Sequence, residues 1–389
     1  GKTVKEFISE LNWEDWANSR PLKDLVSNFG LPDSYWTERA HHPTFDSYYR
    51  RLWYDGVTDL TRIPCYHVSG WYDDSLGGTL DLFPALSHHH PDPQVRRSQK
   101  LLIGPWPHRL SSNSSKLGDF DYGEHSMVSL PLEAIRWFDY WLKGIDNGIM
   151  DEPPIHYYLL GMTTKEAWRS ADSWPVKNME KKNFYFGPTL QPEAPSASVT
   201  FDTYRVDYSA TTGNRSRWIA VNWSHKYPNM RSNDAKAMTY TTVPLESPVQ
   251  VVGHPVVHLW LRTDAPDLDV FAYLEEVDED GNSTYVTEGN LRASHRALGT
   301  ATFENLGLPW HNHFKNELQA IPAGEPMELV FDLLPTAYQF SKGRRLRVTV
   351  AFADADNFDT PIIDPAPVVH LLRDKDHLSL IELPLLPLR

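Results

Sequence analysis

From Ile63 onward the chain alternates between short unbroken apolar runs and amphipathic stretches, and the two patterns predict two kinds of element. "IPCYHVSG" and "QKLLIGPW" are apolar runs bounded by Pro or Gly, as expected for strands buried on both faces. Between them "GGTLDLFPALSHH" spaces Leu80, Phe83 and Leu86 by three, which predicts a helix. "SLPLEAIRWFDYWLKGIDNG" is the clearest helical pattern: Ser129 suits the cap, Pro131 the first turn and Gly144 the exit. Leu132, Ile135, Phe138 and Leu142 share one face and Ala134, Trp137 and Trp141 widen it, so this helix is expected to be largely buried. "PIHYYLLG" returns to strand. Strand, helix, strand, helix in this rhythm implies parallel pairing with right-handed crossovers.

On either side the style differs. Residues 1–60 read as helical pieces: "TVKEFISELNWEDWANS", "PLKDLVSNFG" closing on Gly30, and "HPTFDSYYRRLWYDG". Beyond about residue 180 come turn-rich segments and short strands such as "VVHLWLRTD", "DVFAYLEEVD" and "RRLRVTVAFAD". "DEDGNST" supplies the positive-φ residues of a tight hairpin. The expected organisation is a helical segment over 1–60, an α/β portion over 61–178 and an all-β sandwich of jelly-roll type over 179–389.

Composition narrows the partners. A formal net charge of −14 disfavours nucleic acid and anionic membranes, both of which call for clustered Lys and Arg. The single cysteine, Cys65, excludes an internal disulfide and is expected to be a buried small hydrophobe. Fourteen Trp and eighteen Tyr are sufficient both for cores and for a ring-lined pocket. "SHHHPDP" (His88 to His90) and "PWHNH" (His311, His313) are expected to be solvated loops, and no cofactor or metal is called for by spacing.

The candidate chemistry lies at the strand ends. In an open α/β sheet, ligands gather at the carboxyl edge of the strands. Asp73 follows "CYHVSGWY" and His108 follows "LLIGPWP", so both are expected on that edge. An acid followed by a base is the chain order in which α/β-hydrolases place the partners of a nucleophilic serine, and Asp74 is an equally good acid by pattern. The imidazole takes the serine proton, and the carboxylate fixes its tautomer.

The segments "IPCYHVSGWYDDSLGGTLDLF", "LLIGPWPH", "IRWFDYWLKGIDNGI", "PIHYYLLGMTTKEAWRSADSWP" and "KGRRLRVTVAFADADNF" together resemble the family of X-prolyl dipeptidyl peptidases, cocaine esterase and α-amino acid ester hydrolases. The resemblance implies a partial α/β-hydrolase sheet with a helical cap, then a jelly roll. It implies acyl-enzyme hydrolysis of an ester, an acylated amino acid or an X-Pro peptide. It assigns the acid to Asp73 and the base to His108. The family's segment before the acid strand matches His42, Pro43, Asp46 and Tyr48, and Asp46 is a candidate either for holding a substrate amine or for capping a helix. Trp71, Tyr72 and Trp106 flank the pair as candidates for pocket walls or for core packing.

One element of the family pattern has no counterpart. The sequence contains no G-x-S-x-G elbow. The expectation is therefore that the serine and half the oxyanion hole lie on an upstream segment or separate chain, which completes the sheet beside "CYHV" and "LLIG". A homo-oligomer is also expected, through an exposed sandwich edge. The alternatives are an inert relative of the family and a jelly-roll protein that binds carbohydrate or a partner.

Overall fold

The computed structural model describes residues 9–10, 12, 15, 19, 21–30, 35–53, 58–108, 110, 113–218 and 225–388. Most of the helix expected over "TVKEFISELNWEDWANS" lies outside the described residues. The remaining N-terminal pieces are short: α1 (Leu25–Asn28), α2 (Tyr35–Ala40) and α3 (Ser47–Arg50). Gly30 follows α1 with φ 68°, the left-handed exit that glycine accepts without strain.

The α/β portion is built on one four-stranded sheet of order β1-β2-β5-β6. Its strands are β1 (Cys65–Tyr72), β2 (Gln99–Pro107), β5 (Ile155–Tyr158) and β6 (Trp168–Ala171). A two-residue ribbon, β3 (Lys116–Leu117) with β4 (Phe120–Asp121), lies in the loop after β2. β1, β2 and β5 run parallel and β6 returns antiparallel. All of β2 is buried, because it has a strand on each side. Among the described residues β1 pairs with β2 alone, and its first four residues are only half-buried. Cys65 shares that exposure, so it is not the fully buried hydrophobe expected.

The crossover from β1 to β2 is α4 (Leu76–Pro84), one further helical turn and α5 (Pro93–Arg97). Leu80, Phe83 and Leu86 are all buried, as their spacing predicts. His88 and His89 belong to the turn after α4 and His90 is buried, its Nδ1 accepting the Asp92 N–H at 3.0 Å. The expectation of a solvated loop holds for His88 and His89, which are exposed, and fails only at His90.

α6 (Leu130–Lys143) begins and ends where its sequence dictates. Ser129 holds the cap position, although its side chain makes no capping bond, and Pro131 sits in the first turn. At the exit Gly144 has φ 68°, its N–H reaching Tyr140 O and the next N–H reaching Asp139 O, which satisfies the last carbonyls. The burial does not follow. Trp137 is buried, but Leu132, Ile135, Phe138 and Leu142 are 60 %, 54 %, 53 % and 77 % exposed. The helix is amphipathic as read; its apolar face projects away from the sheet and no described residue covers it.

The C-terminal half is a two-sheet β-sandwich. Its strands are β7 (Glu180–Tyr185), β8 (Phe201–Arg205), β9 (Met238–Thr241), β10 (Val249–Gly253), β11 (Val256–Thr263), β12 (Asp269–Val277), β13 (Ser283–Arg292), β14 (Met327–Asp332), β15 (Thr336–Phe340), β16 (Arg345–Ala351), β17 (Val368–Leu372) and β18 (Leu380–Leu386). One sheet has the path β15-β10-β18-β11-β17-β8 with β14 and β7 attached, the other the order β13-β12-β16-β9, and every pairing is antiparallel. β11 buries alternate residues, the period of a strand facing one core. The β12–β13 hairpin turns at Gly281, φ 78°, as "DEDGNST" predicts.

A buried aromatic ladder joins the two halves. The Tyr72 ring lies 5.7 Å from Tyr227, and Tyr227 stacks on Tyr285 at 4.0 Å. The Tyr285 hydroxyl donates to Glu288 at 2.9 Å and accepts from Nε of the fully buried Arg217 at 3.1 Å. Burial pushes the Glu288 carboxyl up to about 7, against the opposing pull of Arg217. The ladder thus ties the last residue of β1 to the sandwich core.

Candidate active site

The carboxyl ends of β1 and β2 converge because two glycines let them. At Gly70 a Cβ would stand 2.0 Å from the Trp106 carbonyl oxygen, and at Gly104 it would stand 2.3 Å from the Trp106 ring. The register slips at that point, from Gly70↔Gly104 to Tyr72↔Pro107. This irregularity brings β2 past the end of β1, so that residue 108 returns beside residue 73.

There the His108 Nδ1 and Asp73 Oδ1 are 3.0 Å apart and hydrogen-bonded. Asp73 is 6 % exposed and held from three sides. It accepts from the Ser75 N–H at 2.8 Å on Oδ1, from the Ser69 hydroxyl at 3.1 Å on Oδ2, and from His108. These three donors occupy both oxygens of the side chain and fix its orientation. The His108 side chain is 45 % exposed, and no described residue bonds its Nε2. The hydrogen bond to Asp73 raises the imidazole above its ordinary value, aided by the charges of Asp73 and Asp74 and opposed by partial burial. The result is an imidazole with one nitrogen fixed on a buried acid and the other facing outward.

Asp74 also approaches. Its Oδ1 lies 3.2 Å from His108 Nδ1 without hydrogen-bond geometry, so Asp73 is the bonded acid. The three side chains bring ligand-type atoms within 4.8 Å of one another, close enough to gather a cation. Within the cluster the one hydrogen bond joins His108 Nδ1 to Asp73, the arrangement of an acid–base pair.

The remaining expected site residues sit elsewhere. Trp71, Tyr72 and Trp106 are each 1 % exposed. Trp71 Nε1 donates to Tyr158 O at 2.6 Å, the Tyr72 and Tyr122 hydroxyls meet at 2.9 Å, and Trp106 packs against Trp168. They are core rings beneath the site rather than its exposed walls; the two-glycine crossing turns Trp106 inward. Asp46 caps α3, accepting the Tyr48 N–H at 2.8 Å, and its other oxygen meets His42 Nδ1 at 2.6 Å. The bond from His42 holds its carboxyl below the usual range. Of its two readings, capping is the one with visible bonds.

In "PWHNH" the two histidines divide: His313 is exposed, as a solvated loop would have it, and His311 is not. His311 is buried, its two ring nitrogens 3.1 and 3.0 Å from Ala297 O and Val330 O. His313 is exposed overall, its Nδ1 2.9 Å from His295 Nδ1; partial desolvation of the ring, aided by the neighbouring His295 and His311, lowers it to about 4. His313 O accepts the Phe45 N–H at 2.8 Å, which docks the helical segment on the sandwich. These residues line a cleft of about 860 Å³ between the two, together with Trp310, Phe271 and Arg292. Nothing in local spacing reveals this cleft, because its walls come from segments more than two hundred residues apart.

A parallel sheet that ends in an acid–imidazole pair, joined to an antiparallel sandwich, defines a hydrolase-type scaffold. Known proteins agree. The X-Pro dipeptidyl-peptidase (S15 family) profile matches residues 8–109, and the X-Pro dipeptidyl-peptidase C-terminal non-catalytic domain matches residues 147–367. The chain belongs to the X-Pro dipeptidyl-peptidase family of serine hydrolases. A candidate serine esterase of Mycobacterium bovis is 35 % identical over 334 residues, covering 82 % of this chain and 50 % of the relative. The cocaine esterase of a Rhodococcus species is 24 % identical over 315 residues, covering 76 % of this chain and 50 % of that protein. The chain thus spans about half the length of these relatives. In structure, an α-amino acid ester hydrolase superposes with TM-score 0.75 at 20 % identity, over 96 % of this chain and 64 % of its own. An aminopeptidase from a marine sediment thaumarchaeon gives TM-score 0.75 at 19 % identity, over 91 % and 60 %. These likenesses establish the fold, an α/β-hydrolase-like portion followed by a jelly-roll sandwich.

Proposed function

We propose that this chain supplies the acid and base of a serine hydrolase that cleaves esters or amides through an acyl-enzyme, with Asp73 and His108 in those roles and the serine on polypeptide outside this chain. The observation that carries the proposal is the bonded Asp73–His108 pair with Nε2 turned outward. A serine hydroxyl presented to Nε2 gives up its proton as it attacks the substrate carbonyl carbon. Asp73 stabilises the imidazolium that forms. The imidazolium then protonates the leaving alkoxide or amine as the carbonyl–heteroatom bond breaks. Water, deprotonated by the same nitrogen, releases the acyl group and restores the serine. The oxyanion donors come from outside the chain as well. Relatives bearing esterase and Xaa-Pro dipeptidyl-peptidase names support the substrate class of esters or X-Pro amides.

Two features support the outside contribution. Among the described residues β1 has one unpaired edge, and a groove of about 480 Å³ beside it is lined by Cys65, Tyr66, Val68, Leu130, Trp137 and Phe138. The apolar face of α6 borders the same region. An open parallel-sheet edge next to bare Leu and Phe side chains is the surface that further strands and helices of the sheet would cover.

A fluorophosphonate probe tests the reading. Serine labelling of upstream polypeptide that purifies with this chain, lost on His108→Ala, is the expected result. The absence of labelling anywhere in active-site-competent material would overturn it.

A further inference from the structure

The motif that identifies the acid strand ends at Asp73, yet a second carboxylate follows immediately and turns toward the same imidazole. Asp74 Oδ1 stands 3.2 Å from His108 Nδ1, only slightly farther than the bonded Asp73 Oδ1 at 3.0 Å. That oxygen is buried and has no hydrogen-bond donor. Leaving a carboxylate oxygen dry and unbonded is costly, on the order of 1–3 kcal/mol for a buried polar group and more for a charged one. The nearest available donor is the Nδ1–H already engaged by Asp73. The nearest acceptor for a proton on Asp74 is the Asp73 carboxylate.

We propose that Asp74 is a positioning residue for His108: a standby acceptor for the Nδ1–H that holds the imidazole jointly with Asp73, and that donates to Asp73 when it takes up a proton. The proposal rests on His108 being the base. The charged groups acting on His108 are Asp73 and Asp74, and the uncharged donors around Asp73 are Ser69 and Ser75. Two states follow. With both carboxylates ionised, both attract the imidazole proton. With Asp74 protonated, its O–H satisfies Asp73 and the pull on His108 weakens. Asp74 is suited to the second state because burial raises its carboxyl, and the bond to Asp73 and the charge of Asp73 raise it further, while His108 opposes them. No covalent step is added; a single proton is shared by neighbouring groups.

The test is a pH titration of the His108 ring nitrogens by 1H–15N NMR, assigned by loss of the signal in His108→Gln. This readout requires no nucleophile, so it separates failure of the Asp74 role from failure of the hydrolase reading, which the fluorophosphonate experiment addresses. Asp74→Asn is expected to lower the His108 pKa by about half a unit or more. Asp73→Asn is expected to leave part of the elevation, because Asp74 takes over Nδ1–H. The double variant is expected to fall to or below the ordinary imidazole value, further than the two single shifts add up to. Asp74→Glu, which keeps the charge, should restore most of the wild-type value. In the active enzyme the acid limb of kcat/KM should move to lower pH in Asp74→Asn, by the same amount as the NMR value. An unchanged His108 titration in Asp74→Asn, or Asp73→Asn matching the double variant, would overturn the proposal. The Asp→Asn variants keep the size of the side chain and Asp74→Glu adds one methylene at a partly exposed strand end; matching amide spectra away from residues 69–75 and 108 check the fold.

Discussion

The sandwich and the four-stranded sheet obey the same packing rules and end in different states. In the sandwich, β11 and β14 bury their inward residues completely, with Val257, Leu259, Leu261 and Leu329 all at 0 % exposure. In the α/β sheet, β2 is as well buried, but β1 is an edge and the neighbouring helix α6 leaves four large apolar side chains more than half exposed. The difference lies in how many layers the described residues place on each face, not in the quality of the pattern. The sandwich closes on itself; the sheet that carries Asp73 and His108 has one side finished by the sandwich and one side open.

The difference can be broken most sharply at the site. In the complete active enzyme, His108→Ala should lower kcat by roughly three to six orders of magnitude. Its effect on stability should be small, since the side chain is 45 % exposed. Steady-state kinetics and a urea melt on one preparation check both. Next, Leu259→Ala should destabilise the sandwich by about 2–5 kcal/mol, because a fully buried side chain leaves a cavity. Leu142→Ala, on the bare face of α6, should change the stability of this chain by no more than about 0.5 kcal/mol. A Leu142 effect as large as that of Leu259 would mean that the face is already covered. Gly70→Ala should cost about 1–3 kcal/mol or more, since its Cβ meets Trp106 backbone rather than a movable side chain. Thermal melting checks it, with loss of the His108–Asp73 hydrogen bond as the NMR signature.

The smallest effect concerns pH. The folded His108 value lies above its unfolded value near 6.5. The stability from its pairing with Asp73 is therefore fully present below about pH 6.5 and is lost as pH rises through the folded value. Solvent screening at this exposed imidazole keeps the contribution within about 1 kcal/mol. Urea midpoints for wild type and Asp73→Asn should converge at the alkaline end of that range.

What the sequence made legible follows the same division. β1, β2, α4 and the Gly144 exit were readable because local chemistry decides them: apolar runs between Pro and Gly, residues spaced by three, a glycine in the left-handed conformation. The Asp73–His108 contact was readable from topology, since neighbouring parallel strands align their carboxyl ends. The exposure of Phe138 was not, because amphipathicity states which face seeks a partner and not whether this polypeptide supplies one. Whether Trp106 forms a pocket wall or core was left open by the sequence, because its buried position depends on close approaches at Gly104, under its ring, and at Gly70 on the neighbouring strand. The Arg217–Tyr285–Glu288 cluster and the His295–His313 pair had no local signal, being assembled from distant segments.

The stacked phenols from Tyr72 through Tyr227 to Tyr285 have a practical consequence for anyone dissecting the molecule. The residue preceding the acid rests on rings that belong to the C-terminal half, so the two halves are not interchangeable modules. Cutting the chain near residue 178 would remove the Tyr227 ring from Tyr72, leaving only Phe120 and Tyr122 to hold the residue before the acid. Swapping in a sandwich from a distant homologue would transfer activity only if its counterparts of Tyr227 and Tyr285 came with it.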